Sequence, residues 1–94
     1  MNFTKAFDEL SRGRRMRRKE WDKAYLYYMP GKLLGPRENI WPRHIKLLAE
    51  EQGELAIHPY LAQRTEKGTI LIGWMPSPVD LIAEDWVVVK EEEV

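Results

Sequence analysis

The sequence predicts an α+β fold, an antiparallel sheet of about five strands with an N-terminal helix packed on it and short helical insertions. Three observations carry this. Phe3, Ala6, Phe7 and Leu10 fall at i, i+3, i+4 and i+7, which is one face of a helix. Short aromatic and β-branched runs recur along the chain, such as residues 25–28 and 86–89, in the composition favoured by strands. Proline and glycine punctuate the intervals at Pro30-Gly31, Gly35-Pro36, Gly53 and Gly68.

Taken in order, residues 3–12 form a short amphipathic helix. Asn2 or Thr4 can cap its start, and Gly13 sits where a left-handed residue closes a helix. A helix this short is not stable alone, so its apolar face must pack on something. Residues 14–19 are polar except for Met16, which suits a strand with Met16 facing in and the arginines facing out. Trp21 ends that step, Asp22-Lys23 makes a turn, and residues 24–29 form the next strand.

Residues 32–39 are expected to be loop. Trp41-Pro42 then opens a helix that Gly53 ends, since proline is tolerated in the first helical turn. Residues 55–64 read as one strand interrupted by Pro59. Residues 65–68 form a hairpin connection with glycine where a positive φ is needed, and residues 69–73 return. Ser77-Pro78-Val79-Asp80 has the outline of a capping box, with Ser77 as N-cap, Pro78 at the first helical position and Asp80 at the third. A single turn of helix through Ala83 and a last strand over residues 86–89 complete a single domain of residues 1–90. Residues 91–94 are an acidic tail.

Ninety-four residues bury only a modest core, which favours oligomerisation. The absence of cysteine excludes disulfides, thiolate nucleophiles and cysteine-based metal sites. No apolar run approaches the ~20 residues of a membrane span, and the first residues lack the apolar core of a signal peptide. A cytoplasmic location is the expectation. The formal net charge of zero hides an asymmetry, because residues 1–49 hold twelve of the fifteen Lys and Arg and only five of the fifteen Asp and Glu. Opposite halves of this kind attract within a chain or between subunits.

Catalytic chemistry finds little support. His44 and His58 stand far apart in sequence and lie in no motif, and nothing has zinc-site spacing. Asp80, Glu84 and Asp85 could gather as carboxylates, but Asp80 is already assigned to the helix cap. No enzyme activity and no cofactor are expected. The basic run of Arg12, Arg14, Arg15, Arg17, Arg18 and Lys19 is open to three readings. It is a solvated edge strand, a phosphate or pyrophosphate contact, or a nucleic-acid surface. Strand alternation puts Arg15 and Arg17 on one face and Arg14, Met16 and Arg18 on the other. Among the aromatics, Trp74 is expected to be partly exposed ahead of a proline-rich loop, and Trp86 to turn into the core. Ser77 and Asp80 follow Trp74, where a free backbone N–H at the helix start could receive a phosphate oxygen or a ribose hydroxyl.

One resemblance sharpens these readings. The start Met1-Asn2-Phe3 with Ala6, the Arg18 and Trp21 pair, Tyr25-Leu26, and the closing pattern Trp-x-Pro-Ser-x-x-Asp-x-x-Ala-x-Asp-Trp-x-Val over residues 74–88 resemble the Thoeris anti-defence protein 2 family of small phage and bacterial proteins. The resemblance implies a sponge, which binds a cyclic ADP-ribose-type immune signal without cleaving it, in a pocket formed where subunits meet. It implies a homo-oligomer, a dimer or tetramer, and a small-molecule cyclic nucleotide as partner. Trp21, Trp74, Ser77 and Asp80, with Arg18 of the Arg-x-x-Trp step, occupy the family's motif positions and are the ligand-binding candidates it implies. Asp85 and Trp86 match the motif as turn and core residues. Pro78 stands where many members have a polar residue, the arginine run is heavier than the family pattern, and residues 32–56 match none of its motifs. The competing readings are a nucleic-acid-binding phage accessory protein and a structural or assembly protein without a ligand.

Overall fold

The computed structural model describes residues 1–90, so the acidic tail expected over 91–94 lies outside the described residues. The fold is α+β, with a five-stranded antiparallel sheet, a second two-stranded sheet, an N-terminal helix and short helices. The chain divides into two compact units. One comprises Met1–Met29 with the chain from Tyr60 onward, and the other is Pro30–Pro59.

The first unit begins with α1 (Phe3–Ser11), whose N-cap Asn2 accepts a hydrogen bond from the Lys5 backbone N–H at 2.9 Å. Gly13 follows the helix at φ 91°, a left-handed value that favours glycine. The large sheet is built from β1 (Met16–Arg18), β2 (Tyr25–Met29), β5 (Tyr60–Arg64), β6 (Ile70–Ile72) and β7 (Trp86–Val88), in the spatial order β6-β5-β2-β1-β7. The register pairs Met16 with Leu26 on one side and Val88 on the other, and Tyr25 with Arg64. The β5–β6 hairpin closes as expected over residues 65–68, with Gly68 at φ 88° and the Thr65 N–H donating to the Thr69 carbonyl at 2.8 Å.

Alternation decides which residues meet α1. Ala6 and Leu10 on the helix pack with Met16, Leu26 and Trp86 on the sheet, all five inaccessible to solvent. Phe3, Trp21, Trp74, Tyr28, Leu61 and Val88 close around this core. Arg18 lies on the same face as Met16 and is 8% exposed, so the expectation that the arginines of this strand all face out is corrected. The reason is a pair of carboxylates waiting on that face, described below. The other face carries Arg17 of β1 and Arg15 just before it, as the alternation predicts.

The second unit holds β3 (Lys32–Leu34), α2 (Arg43–Gln52) and β4 (Leu55–Ile57), with β3 and β4 paired antiparallel. Residues 32–34 are therefore strand, not loop. Their partners are 21 to 25 residues away, and the local Gly35-Pro36 breaker obscures them. The helix opens later than expected. Pro42 is its extended N-cap and Gly53 its left-handed C-cap, at φ 87°. The strand expected over 55–64 divides at Pro59 into β4 and β5, which belong to different sheets. Proline cannot donate to a sheet ladder, so the break falls there. No helix of the described residues is long and apolar enough to cross a membrane.

Candidate functional site

The candidate residues converge on the α1-facing side of the large sheet, at the edge formed by β1 and β7. α3 (Pro78–Ile82) lies between β6 and β7 in sequence and starts on a complete capping box. The Ser77 Oγ accepts from the Asp80 N–H at 3.2 Å, and Asp80 Oδ2 accepts from the Ser77 N–H at 2.9 Å. The backbone N–H groups expected to be free for a phosphate or a ribose hydroxyl are thus engaged at both residues. The second Asp80 oxygen accepts from Arg18 Nη1 at 3.0 Å.

Arg18 is the hub of this corner. Its Nε donates to Asp85 Oδ1 at 2.5 Å, its Nη2 to Asp85 Oδ2 at 3.4 Å, and Glu20 lies 3.6 Å from Nη2. The Asp85 hydrogen bonds raise the arginine pKa above its ordinary value, and the same guanidinium holds the Asp85 carboxyl below its own. Three carboxylates face Arg18, and the Met1 ammonium, donating to the Glu84 and Trp86 carbonyls at 3.0 and 2.8 Å, adds a second positive charge beside Asp85. A phosphate reaching Arg18 would have to displace Asp80 or Asp85, at the cost of uncovering a carboxylate. Arg18 therefore acts as a strut between β1, α3 and the start of β7.

The tryptophans form one cluster. The Trp86 ring is fully buried, and its Nε1 donates to the Asp80 carbonyl at 3.0 Å. Trp21 and Trp74 stand edge-on to it at centroid distances of 5.5 and 6.3 Å, and 6.4 Å from each other. Near-perpendicular planes of 78–83° match the quadrupole preference of aromatic pairs. Both Trp21 and Trp74 are half-buried. Trp74 is held at the end of β6 because its own N–H and that of Gly73 both donate to the Leu61 carbonyl at 2.9 Å. The structure thus brings Trp21, Trp74, Asp80, Ser77 and Arg18 into one connected group. Two half-open indoles lie beside a polar turn, an arrangement suited to holding a planar ring.

The opposite face of the sheet carries a feature that sequence reading reached only in part. An open groove of about 720 Å³ is lined by Arg15, Arg17, Asp22, Lys23, Tyr25 and Arg64, among others. Arg15 and Arg17 were recognisable as a shared face. Arg64 joins them through the pairing of β2 with β5, which no local pattern signals. Among the described residues, no group of three or more His, Cys, Asp or Glu could hold a metal ion.

In comparison with known families, the model of the Thoeris anti-defense 2-like domain matches residues 1–89, running through the 32–56 segment that the quoted motifs leave uncovered. No curated protein matches the chain.

Proposed function

Because the chain belongs to the Thoeris anti-defense 2-like family, we propose that it sequesters a cyclic ADP-ribose-type signalling nucleotide without cleaving it. A role against the Thoeris defence is what family membership suggests, and sequestration is the mechanism read here. Its main support is the convergence of Trp21 and Trp74 with Ser77 and Asp80 at one corner of the fold. Stacking of a base on such rings contributes about 1–3 kcal/mol per base in nucleic-acid complexes. Contact to ligand hydroxyls falls to the Ser77 hydroxyl and the Asp80 carboxylate, while Arg18 positions that carboxylate.

Sequestration requires no bond to break. It works by mass action, with the protein in excess of the signal and binding it more tightly than the downstream effector does. A rigid aromatic corner favours this, because little ordering is charged against affinity. The site of action in this reading is the host bacterial cytoplasm.

The reading includes a homo-oligomer. Support comes from β6, an edge strand whose Ile70, Leu71 and Ile72 are all exposed, at 51%, 49% and 66%. An apolar edge of this kind is a template for pairing with another strand, and a second copy supplies one symmetrically. Light scattering should give a dimer or tetramer, and Ile72→Lys should shift it toward monomer. A stable wild-type monomer at tens of micromolar would remove this part of the reading.

The ligand is tested by mixing purified protein with cyclic ADP-ribose isomers and with cyclic di- and trinucleotides, followed by native mass spectrometry. The expected result is a stoichiometric complex that releases unchanged ligand on heating and weakens in Trp74→Ala. Product recovered at more than one equivalent per subunit would make the protein an enzyme. Absence of any complex would favour the assembly-protein reading.

A further inference from the structure

We propose that the groove on the sheet face opposite α1 is a second binding site, for a ligand carrying two neighbouring phosphates such as a nucleoside diphosphate. The alternation that turns Met16 and Arg18 toward α1 turns Arg15 and Arg17 away from it. The register sets Arg64 of β5 directly beside Tyr25 of β2 on that same face. Lys23, in the turn before β2, completes the cationic lining. Four cations and one carboxylate, Asp22, line a volume of about 720 Å³, within the roughly 300–1,000 Å³ typical of small-molecule sites.

The pairing pattern separates this face from the rest of the arginine run. Arg12 pairs with Asp8, Arg14 with Glu9, and Arg18 with Asp80 and Asp85. Among the described residues, none of Arg15, Arg17, Lys23 and Arg64 has a carboxylate oxygen within 4.0 Å. Glu66 lies close enough to Arg64 to feel its charge. Its carboxylate, however, is occupied by the backbone N–H groups of Asp22, Lys23 and Ala24 at 3.0, 2.6 and 3.2 Å. Four cations gathered in a concavity with Asp22 as the one lining carboxylate leave an excess of positive charge there, which the low-dielectric walls focus.

The guanidinium groups are also anchored in a way that leaves donors over. Arg17 uses Nη1 on the carbonyls of Arg18, Lys19 and Trp21. Arg64 uses Nη1 on the Thr65 carbonyl at 2.8 Å. Arg15 lies over the Tyr25 ring at 4.9 Å and reaches the Lys90 carbonyl with Nη2. Each side chain is held by part of its fork, and the remaining N–H groups make no hydrogen bond to the described residues. Held forks with spare donors match phosphate oxygens with little ordering cost. Two phosphates suit cations arriving from three separate elements, and Asp22 can accept from a ribose hydroxyl.

The proposal is independent of the sequestration reading, since it uses no indole ring and not the Arg18 side chain. The test is calorimetric titration of the full chain with inorganic pyrophosphate and with ADP at low ionic strength. Wild type should bind both. Arg64→Gln and Lys23→Gln should each weaken binding by roughly tenfold or more, as loss of a hydrogen bond to a charged group implies. Arg12→Gln removes the same charge outside the groove and should leave affinity unchanged. Lys23 is exposed, so its variant remains informative if Arg64→Gln fails to fold. No pyrophosphate binding at millimolar concentration overturns the proposal. So does equal weakening by all three variants, which would mean diffuse charge. An oligonucleotide that binds, and is weakened by Arg64→Gln and Lys23→Gln, while pyrophosphate does not bind would overturn it in favour of nucleic acid. If cyclic ADP-ribose binds wild type while pyrophosphate and ADP do not, this proposal fails and the sequestration reading stands. The reverse pattern separates them the other way.

Discussion

Replacing Trp86 with alanine tests whether the indole cluster is the structural centre of the large sheet. Trp86 is fully buried and heads β7, where it contacts Phe3, Trp21 and Trp74 at centroid distances of 5.4, 5.5 and 6.3 Å. Truncating a buried Trp to Ala costs about 3–5 kcal/mol through lost transfer energy and the cavity left behind. Two further losses fall within or add to that range. The Asp80 carbonyl loses its indole donor at 3.0 Å, worth about 1 kcal/mol net. Three edge contacts disappear, each contributing about 0.5–1.5 kcal/mol beyond area burial. Domains commonly hold only about 5–15 kcal/mol in total, so Trp86→Ala should be close to unfolding. Trp86→Phe keeps most of the ring, loses the donor and should cost about 1–2 kcal/mol. Urea denaturation followed by far-ultraviolet circular dichroism would give both values. A loss below about 1 kcal/mol for Trp86→Ala would refute the reasoning, because it would place the ring outside the cooperative core.

Three other outcomes follow from the same geometry. Ser77→Ala removes the N-cap acceptor of α3 and should cost about 1 kcal/mol in urea denaturation, with little change in Ser77→Asp. Glu66 has its pKa lowered, chiefly by the Lys23 backbone N–H and then by those of Asp22 and Ala24. Its contribution to stability is therefore present above the ordinary carboxylate range and lost as pH falls through the depressed folded value. Glu66→Gln should flatten that acid limb of the stability curve, and an unchanged limb would show that the hydrogen bonds from the Asp22, Lys23 and Ala24 N–H groups to Glu66 are absent in solution. At Gly31, an added Cβ would collide with the Ile57 carbonyl oxygen and crowd Pro59. Gly31→Ala should thus disrupt the β3–β4 pairing, seen as faster amide exchange over residues 32–34 and 55–57. Unaltered exchange there would contradict the close approach.

How much of this was legible depended on the distance between partners. The spacing of Phe3, Ala6, Phe7 and Leu10 specifies α1 because all four act within one element. Ser77 and Asp80 specify their capping box for the same reason, and the structure contains both of its hydrogen bonds. Arg18 shows the limit. Alternation places it beside Met16 but cannot reveal that Asp80 and Asp85, more than sixty residues away, neutralise it there. The family motif marks Arg18 as a conspicuous position, and the geometry assigns it to holding the corner together. β3 was hidden because its pairing with β4 is tertiary, while the adjacent Gly35-Pro36 breaker is local and loud. Arg64 was missed for a similar reason, since only the β2–β5 register brings it to Tyr25 and Arg17.

The arrangement of the four indoles also has an optical consequence. Trp41 is 87% exposed, whereas Trp86 is sealed and Trp21 and Trp74 are half-covered against it. An indole excited state relaxes in mobile water and not in a packed interior, so Trp41 should emit to the red of Trp86. A water-soluble quencher should extinguish the red component first. Indole centroids only 5.5–6.4 Å apart are close enough for their transition dipoles to couple, so Trp21, Trp74 and Trp86 should behave as one coupled chromophore with a distinct near-ultraviolet dichroic band. A ring sliding against Trp74 would perturb that band. The chain thus carries a label-free gauge of occupancy at this corner.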